Sequence, residues 1–109
     1  MLRNTIILFL TALVFSSALQ PLHKPITKTI LMKGMRFVPA SLEVSIGDTV
    51  IWMNDSNGEH NVVANDGSFK SNILEKGQIY ALVFEKKGSF KYYCQPHRIM
   101  GMKGIIEVK

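Results

Sequence analysis

Residues 89–104 read SFKYYCQPHRIMGMKG, and the first half has the period of a strand: Phe90, Tyr92 and Cys94 fall on one side, Ser89, Lys91 and Tyr93 on the other. Two aromatic side chains mark the first side as the buried one, so Cys94 points inward. Past Cys94 the alternation stops. Pro96 has no N–H and a fixed φ, so it ends the ladder and stiffens a turn. Gly101 and Gly104 let the backbone bend back into a last strand. The turn holds the only cysteine of the 109-residue chain together with His97, Met100 and Met102.

The same alternation runs through the rest of the chain. Short segments rich in β-branched and aromatic residues predict strands at 27–32, 41–46, 49–54, 61–64, 78–85, 89–94 and 104–108. Pro39, Gly47-Asp48, residues 55–58, Asp66-Gly67, Gly77 and Gly88 punctuate them. Val50 and Trp52 share one face, as do Tyr80, Leu82 and Phe84. With Phe37, Phe90 and Tyr92 these aromatics are the expected core, and Tyr93 lies on the opposite face of its strand. No helical period persists for three turns, so the only helix expected is a short one at 71–74. The pattern predicts an all-β domain, a two-sheet antiparallel sandwich.

Residues 1–18, MLRNTIILFLTALVFSSA, combine Arg3, an apolar run over 6–15 and a small-x-small ending at Ser16 and Ala18. That is the layout of a secretory signal peptide, whose apolar run is too short for a comfortable membrane span; the alternative is an uncleaved anchor. The expected division is a signal peptide at 1–18, a linker at 19–26 and one folded domain at 27–109. The domain would work in the periplasm or otherwise outside the cytoplasm, as a monomer and without stable membrane insertion once the leader is removed. A single cysteine permits no internal disulfide. In an oxidising compartment such a thiol is either buried and inert or bound to a metal. Without Arg3, 12 basic residues face 8 acidic ones. The basic residues form no block longer than two, which excludes a nucleic-acid groove and fits an acidic protein partner.

Cys94, His97 and Met102 are spaced C-x2-H-x4-M, and His60 lies upstream in NDSNGEHNVV, residues 54–63. Singly, each has a bland reading: a capping histidine, a buried hydrophobe, core filler. Together, a thiolate, two imidazoles and a thioether are soft enough for Cu(I) and basic enough for Cu(II). A cysteine hydrolase would need a histidine placed as base and an oxyanion site, whereas Pro96 bends Cys94 and His97 into a chelate. A binuclear copper site would need a second cysteine, and a copper nitrite reductase more histidines and a second domain. His23, in the linker, is read as a solvated side chain.

The run Y-C-x-P-H-x-x-x-G-M-x-G, residues 93–104, resembles the copper loop of the small type 1 copper proteins, the cupredoxins, with the loop length of plastocyanin and pseudoazurin. FVPASLEVSIGDTVIWMN, residues 37–54, and EHNVV, residues 59–63, are similar to the early strands and first-histidine segment of plastocyanin-like proteins and amicyanin. The resemblance implies an eight-stranded Greek-key β-sandwich with one mononuclear copper at one end, an electron carrier and not an enzyme. Carried over by position, His60, Cys94, His97 and Met102 are the ligands. Amicyanin's shorter loop places its methionine where Met100 stands here, so Met100 is the rival axial ligand; G-M-x-G favours Met102. Asn61 would tie the two ligand-bearing loops together and Pro96 would stiffen the turn. Arg98, Ile99, Met100 and Gly101 would form a docking rim around His97. The implied partners are redox proteins such as a c-type cytochrome or a periplasmic dehydrogenase or reductase with an acidic docking surface. The segment between His60 and Cys94 is short for a plant plastocyanin, which argues against a photosynthetic partner. The alternative function is copper storage or delivery.

Overall fold

The structure, a computed structural model, describes Thr11 and residues 22–109. The expected signal peptide, apart from Thr11, lies outside the described residues. Among the described residues no helix is long and apolar enough to cross a membrane.

Among the described residues eight strands form two four-stranded sheets. The first holds β2 (Arg36–Val38), β1 (Thr27–Lys33), β4 (Thr49–Asn54) and β6 (Ile79–Val83), in that spatial order; the second holds β3 (Ser41–Val44), β8 (Lys103–Val108), β7 (Gly88–Tyr93) and β5 (Val63–Ala64). Each sheet buries one face. In β4, Val50, Trp52 and Asn54 point inward with no more than traces of exposure, and in β7 and β8 Tyr92, Ile106 and Val108 do the same. The period of two visible in the sequence thus becomes a sandwich core. Trp52 sits at its centre, with ring centroids 5.4 Å from Tyr92, 5.7 Å from Tyr80 and 5.9 Å from Phe69. Such pairs contribute about 0.5–1.5 kcal/mol each beyond burial.

The sheets are mixed, not purely antiparallel. β1 pairs with β4 in parallel, Thr27 through Met32 facing Thr49 through Asn54, and β3 pairs with β8 in parallel. The cause lies in the chain path. After the β1–β2 hairpin, which turns at Gly34 with φ +57°, the chain crosses to the second sheet for β3 and returns for β4, so β4 enters beside β1 in the same direction. Two crossings between adjacent partners are invisible to a strand-by-strand reading. β2, only three residues long, was also not anticipated.

The helix expected at 71–74 does not form. Its backbone is used by the segment before β5 instead: Ser71 N–H donates to Val62 O (2.8 Å), Leu74 N–H to His60 O (2.7 Å) and His60 N–H to Leu74 O (3.2 Å). Ser71 Oγ also accepts from Val62 N–H at 2.8 Å. With so many external partners an isolated helical turn has nothing to gain. Among the described residues the one helix is a 3-10 segment at Gln95–Met100, kinked at His97 and closed by Gly101 in the left-handed region at φ +76°.

His23 is not simply solvated. Its Nε2 lies 2.6 Å from Asp48 Oδ1, and Asp48, which precedes β4, is 1% exposed. The same carboxylate accepts from the backbone N–H of Ile26 (3.0 Å) and Ser45 (2.8 Å). Asp48 thereby ties the linker to the turn between β3 and β4, at the end of β4 remote from Asn54. The contact with His23 first, then these backbone donors, hold its carboxyl down at about 2.

Candidate metal centre

Three segments converge at the Asn54 end of the sandwich. Cys94 ends the inward row of β7 and is fully buried. The 3-10 helix that follows carries His97 one turn above it, because Pro96 sets the first turn. His60 comes from the long connection between β4 and β5, held by its two backbone bonds to Leu74. The thiol sulfur lies 3.5 Å from His60 Nδ1 and 3.6 Å from His97 Nδ1. All three donor atoms fall within 4.8 Å of one another. Donors on a trigonal first-row ion, at about 2.0 Å for nitrogen and about 2.3 Å for sulfur, sit about 3.7 Å apart. The two S···N separations are within 0.2 Å of that spacing, so the sulfur and each imidazole are already placed to share one ion.

The loop closes on itself beneath this cluster. Cys94 N–H donates to Met102 O at 3.0 Å and Met102 N–H to His97 O at 3.4 Å. Met102 is 1% exposed and belongs to the core, whereas Met100 is 66% exposed and stands with Ile99 on the surface. Gly104 is required for a different reason than Gly101: a Cβ there would overlap Tyr92 Oη and approach Ala40 O to 2.9 Å. The sharp bend at Gly101 needs a positive φ; Gly104 needs the absence of a side chain.

Asn61 joins the two ligand-bearing segments. Its Oδ1 accepts from Gln95 N–H at 2.7 Å. Burial pushes the Cys94 thiol up, while the backbone N–H groups of Asn61 and His97 pull it down. A buried sulfur with N–H donors directed at it is suited to carrying charge once a cation compensates the burial. Burial also lowers His60, with the neighbouring His97 adding to the effect and the Gly34 backbone opposing it. Neutral imidazole is the form that can bind a metal.

Two residues at this site escaped the sequence reading. Ser56 Oγ lies 2.9 Å from His60 Nε2, the ring nitrogen remote from the sulfur. Asn54 holds Ser56 in place by accepting from its Oγ (2.7 Å) and its N–H (3.0 Å), and donates to Gly58 O (2.7 Å) and Leu74 O (2.8 Å). With all four bonds made, Asn54 can be wholly buried. The signal was its position: a polar residue on the inward face of β4, in register with Val50 and Trp52. Ser56 could not be found without knowing how residues 55–59 turn. His97 is half-buried and, with Met35, Ser56 and Gly58, lines a depression of about 420 Å³ above His60.

The family model for copper-binding proteins of the plastocyanin/azurin family matches residues 26–109. Plastocyanin from Vicia faba is 34% identical over 88 residues, covering 69% of this chain and 89% of the relative. A solved structure of an amicyanin variant in its Cu(I) form superposes with a TM-score of 0.69 at 32% identity, covering 76% of this chain and 82% of that one. A copper-containing nitrite reductase from Thermus scotoductus SA-01 superposes with a TM-score of 0.72 at 32% identity, over 80% of this chain and 23% of the enzyme.

Proposed function

The chain belongs to the plastocyanin/azurin family of copper-binding proteins, and from that premise we propose that it is an exported blue copper electron carrier that passes single electrons between larger redox proteins. His60, Cys94, His97 and Met102 are the residues that would hold the copper. The bound copper would supply a one-electron Cu(I)/Cu(II) couple. The observation that carries this reading is the close spacing of one thiol and two imidazoles, with Cys94 and His60 buried and His97 half-buried. Each ligand is tied to the sheets: His60 through Leu74 and Ser56, Cys94 through Met102 O, and His97 through the 3-10 turn. A donor set held this way changes little between oxidation states, which favours fast transfer. His97, half-buried, is the ligand nearest the exposed rim of Arg98, Ile99, Met100 and Gly101. Ile99 and Met100 give that rim an apolar centre from which a partner can exclude water.

A carrier and not a catalyst is the reading the burial supports. Cys94 is inaccessible as a nucleophile, and the nitrite reductase is matched over only 23% of its length. Copper delivery is the second reading, favoured by the exposed thioethers of Met35, which lines the depression at His97, and of Met100, three residues farther along the same turn. The deciding experiment adds Cu(II) to the purified protein. An intense visible thiolate-to-copper absorption that dithionite bleaches and air restores, with the copper retained through the cycle, is expected. Copper that binds without this absorption, or leaves for a competing chelator on reduction, would replace the carrier by the delivery protein.

A further inference from the structure

The outer face of the second sheet carries a surface the ligand set does not use. Lys91 and Tyr93 of β7 point outward beside Lys103 and Ile105 of β8, in the register Tyr93↔Lys103 and Lys91↔Ile105. They line a trough of about 650 Å³ that runs from Ser41 to the loop at Arg98. The Arg98 guanidinium lies 4.1 Å from the centroid of the Tyr93 ring, an arrangement that holds the side chain over the sheet in place of a free position in solvent. Lys91, Arg98 and Lys103 therefore stand together around an aromatic floor. No carboxylate lines the trough, and none of the three is in an ion pair among the described residues.

The same face carries its acidic residues at the other end. Glu43 and Glu107 are register partners, two residues farther from the metal end than Ser41 and Ile105. Both are engaged, Glu43 by Lys109 at 3.2 Å and Glu107 by Ser89 Oγ at 2.5 Å. One face of one sheet is thus uniformly positive where it approaches the metal centre and charge-balanced where it leaves it, with Lys28 and Lys109 both at Glu43.

We propose that this trough is the electrostatic half of the docking surface, and that it receives the acidic face of a protein redox partner while Ile99 and Met100 meet an apolar patch on the same partner. The inference rests on the electron-carrier reading above. The cations are spread along an open trough and do not converge on one point, which fits several carboxylates on a protein surface and not a single small anion. Arg98 and Gly101 belong both to the trough and to the rim, so the two halves are continuous. A partner seated there is oriented with its contact beside His97.

The test uses the intact protein and a hexaglutamate peptide as probe, followed by amide chemical shifts. The expected shifts gather at Lys91, Tyr93, Arg98, Lys103 and Ile105 and fade with added salt. The double variant Lys91→Glu, Lys103→Glu weakens peptide binding about tenfold or more, whereas Lys86→Glu, Lys87→Glu on the opposite side of the β7 turn leaves it unchanged. Both pairs are exposed, and Lys91→Gln, Lys103→Gln repeats the test without charge reversal. Shifts scattered over all the lysines, or equal loss in both double variants, would overturn the proposal. Inorganic phosphate bound in the trough as tightly as the peptide would overturn it in favour of a small-anion site. None of these readouts depends on the visible copper absorption, so a failure here and a failure of the carrier reading are distinguishable.

Discussion

The two methionines of the loop can be separated by stability and spectrum together. Met102 is 1% exposed among core residues, so Met102→Ala removes a full side chain from a packed site and is expected to cost about 2–5 kcal/mol in the metal-free protein. Met100 is 66% exposed, and Met100→Ala should stay within about 0.5 kcal/mol of the parent. Stability alone does not identify a ligand, so the decisive pair is isosteric. Met102→Leu keeps the volume and costs under about 1.5 kcal/mol, yet removes the sulfur; Met100→Leu does the same at the surface. Urea unfolding of the metal-free proteins gives the first comparison, and the visible and EPR spectra of the Cu(II) forms give the second. The expected outcome is an altered copper spectrum and potential in Met102→Leu and unchanged ones in Met100→Leu. An unchanged spectrum in Met102→Leu with an altered one in Met100→Leu would refute the assignment, and with it the idea that burial selects the axial ligand.

Three further expectations follow from particular contacts. Ser56→Ala removes the group 2.9 Å from His60 Nε2, and by loosening the ring should weaken metal binding about 10–100-fold, read by chelator competition, while the unfolding midpoint of the metal-free protein moves little. Gly104→Ala forces a methyl against Tyr92 Oη and Ala40 O and should destabilise by about 1–3 kcal/mol in chemical unfolding; a neutral result would mean that Tyr92 can withdraw. Asp48 has its carboxyl lowered from 3.8 to about 2 with His23 as the leading cause, so its contribution is present above pH 3.8 and is lost as pH falls through about 2. His23→Ala should therefore be less stable than the parent near pH 5, with the gap closing toward pH 2; a gap that widens on acidification would contradict the sign.

Much of this architecture was legible because alternation and ligand chemistry are local. Phe90, Tyr92 and Cys94 reveal their face from spacing alone, and the turn residues around them delimit the strand. What was not legible depends on partners remote in sequence. The parallel pairing of β1 with β4 requires knowing that β3 belongs to the other sheet. The segment at 71–74 contains nothing that forbids a helix, and only the bonds from Val62 and His60 make it extended. His23 has no motif; its role appears when the linker folds back on Asp48. Asn54 carries a signal that goes unread, a polar side chain in step with Val50 and Trp52, whereas Ser56 becomes part of the site only through the turn between them.

The place of β8 in its sheet has a consequence for the order of assembly. β8, the last of the described strands, lies in the interior of the second sheet, between β3 and β7. Until residues 103–108 are available, β3 has no neighbour, β7 lacks one edge, and the bond from Cys94 N–H to Met102 O cannot form. The second sheet is therefore closed by β8, after the other seven described strands have been made. Long-range pairing of this kind slows folding, and it makes the backbone closure of Cys94 on Met102 depend on a strand that follows both of them in sequence.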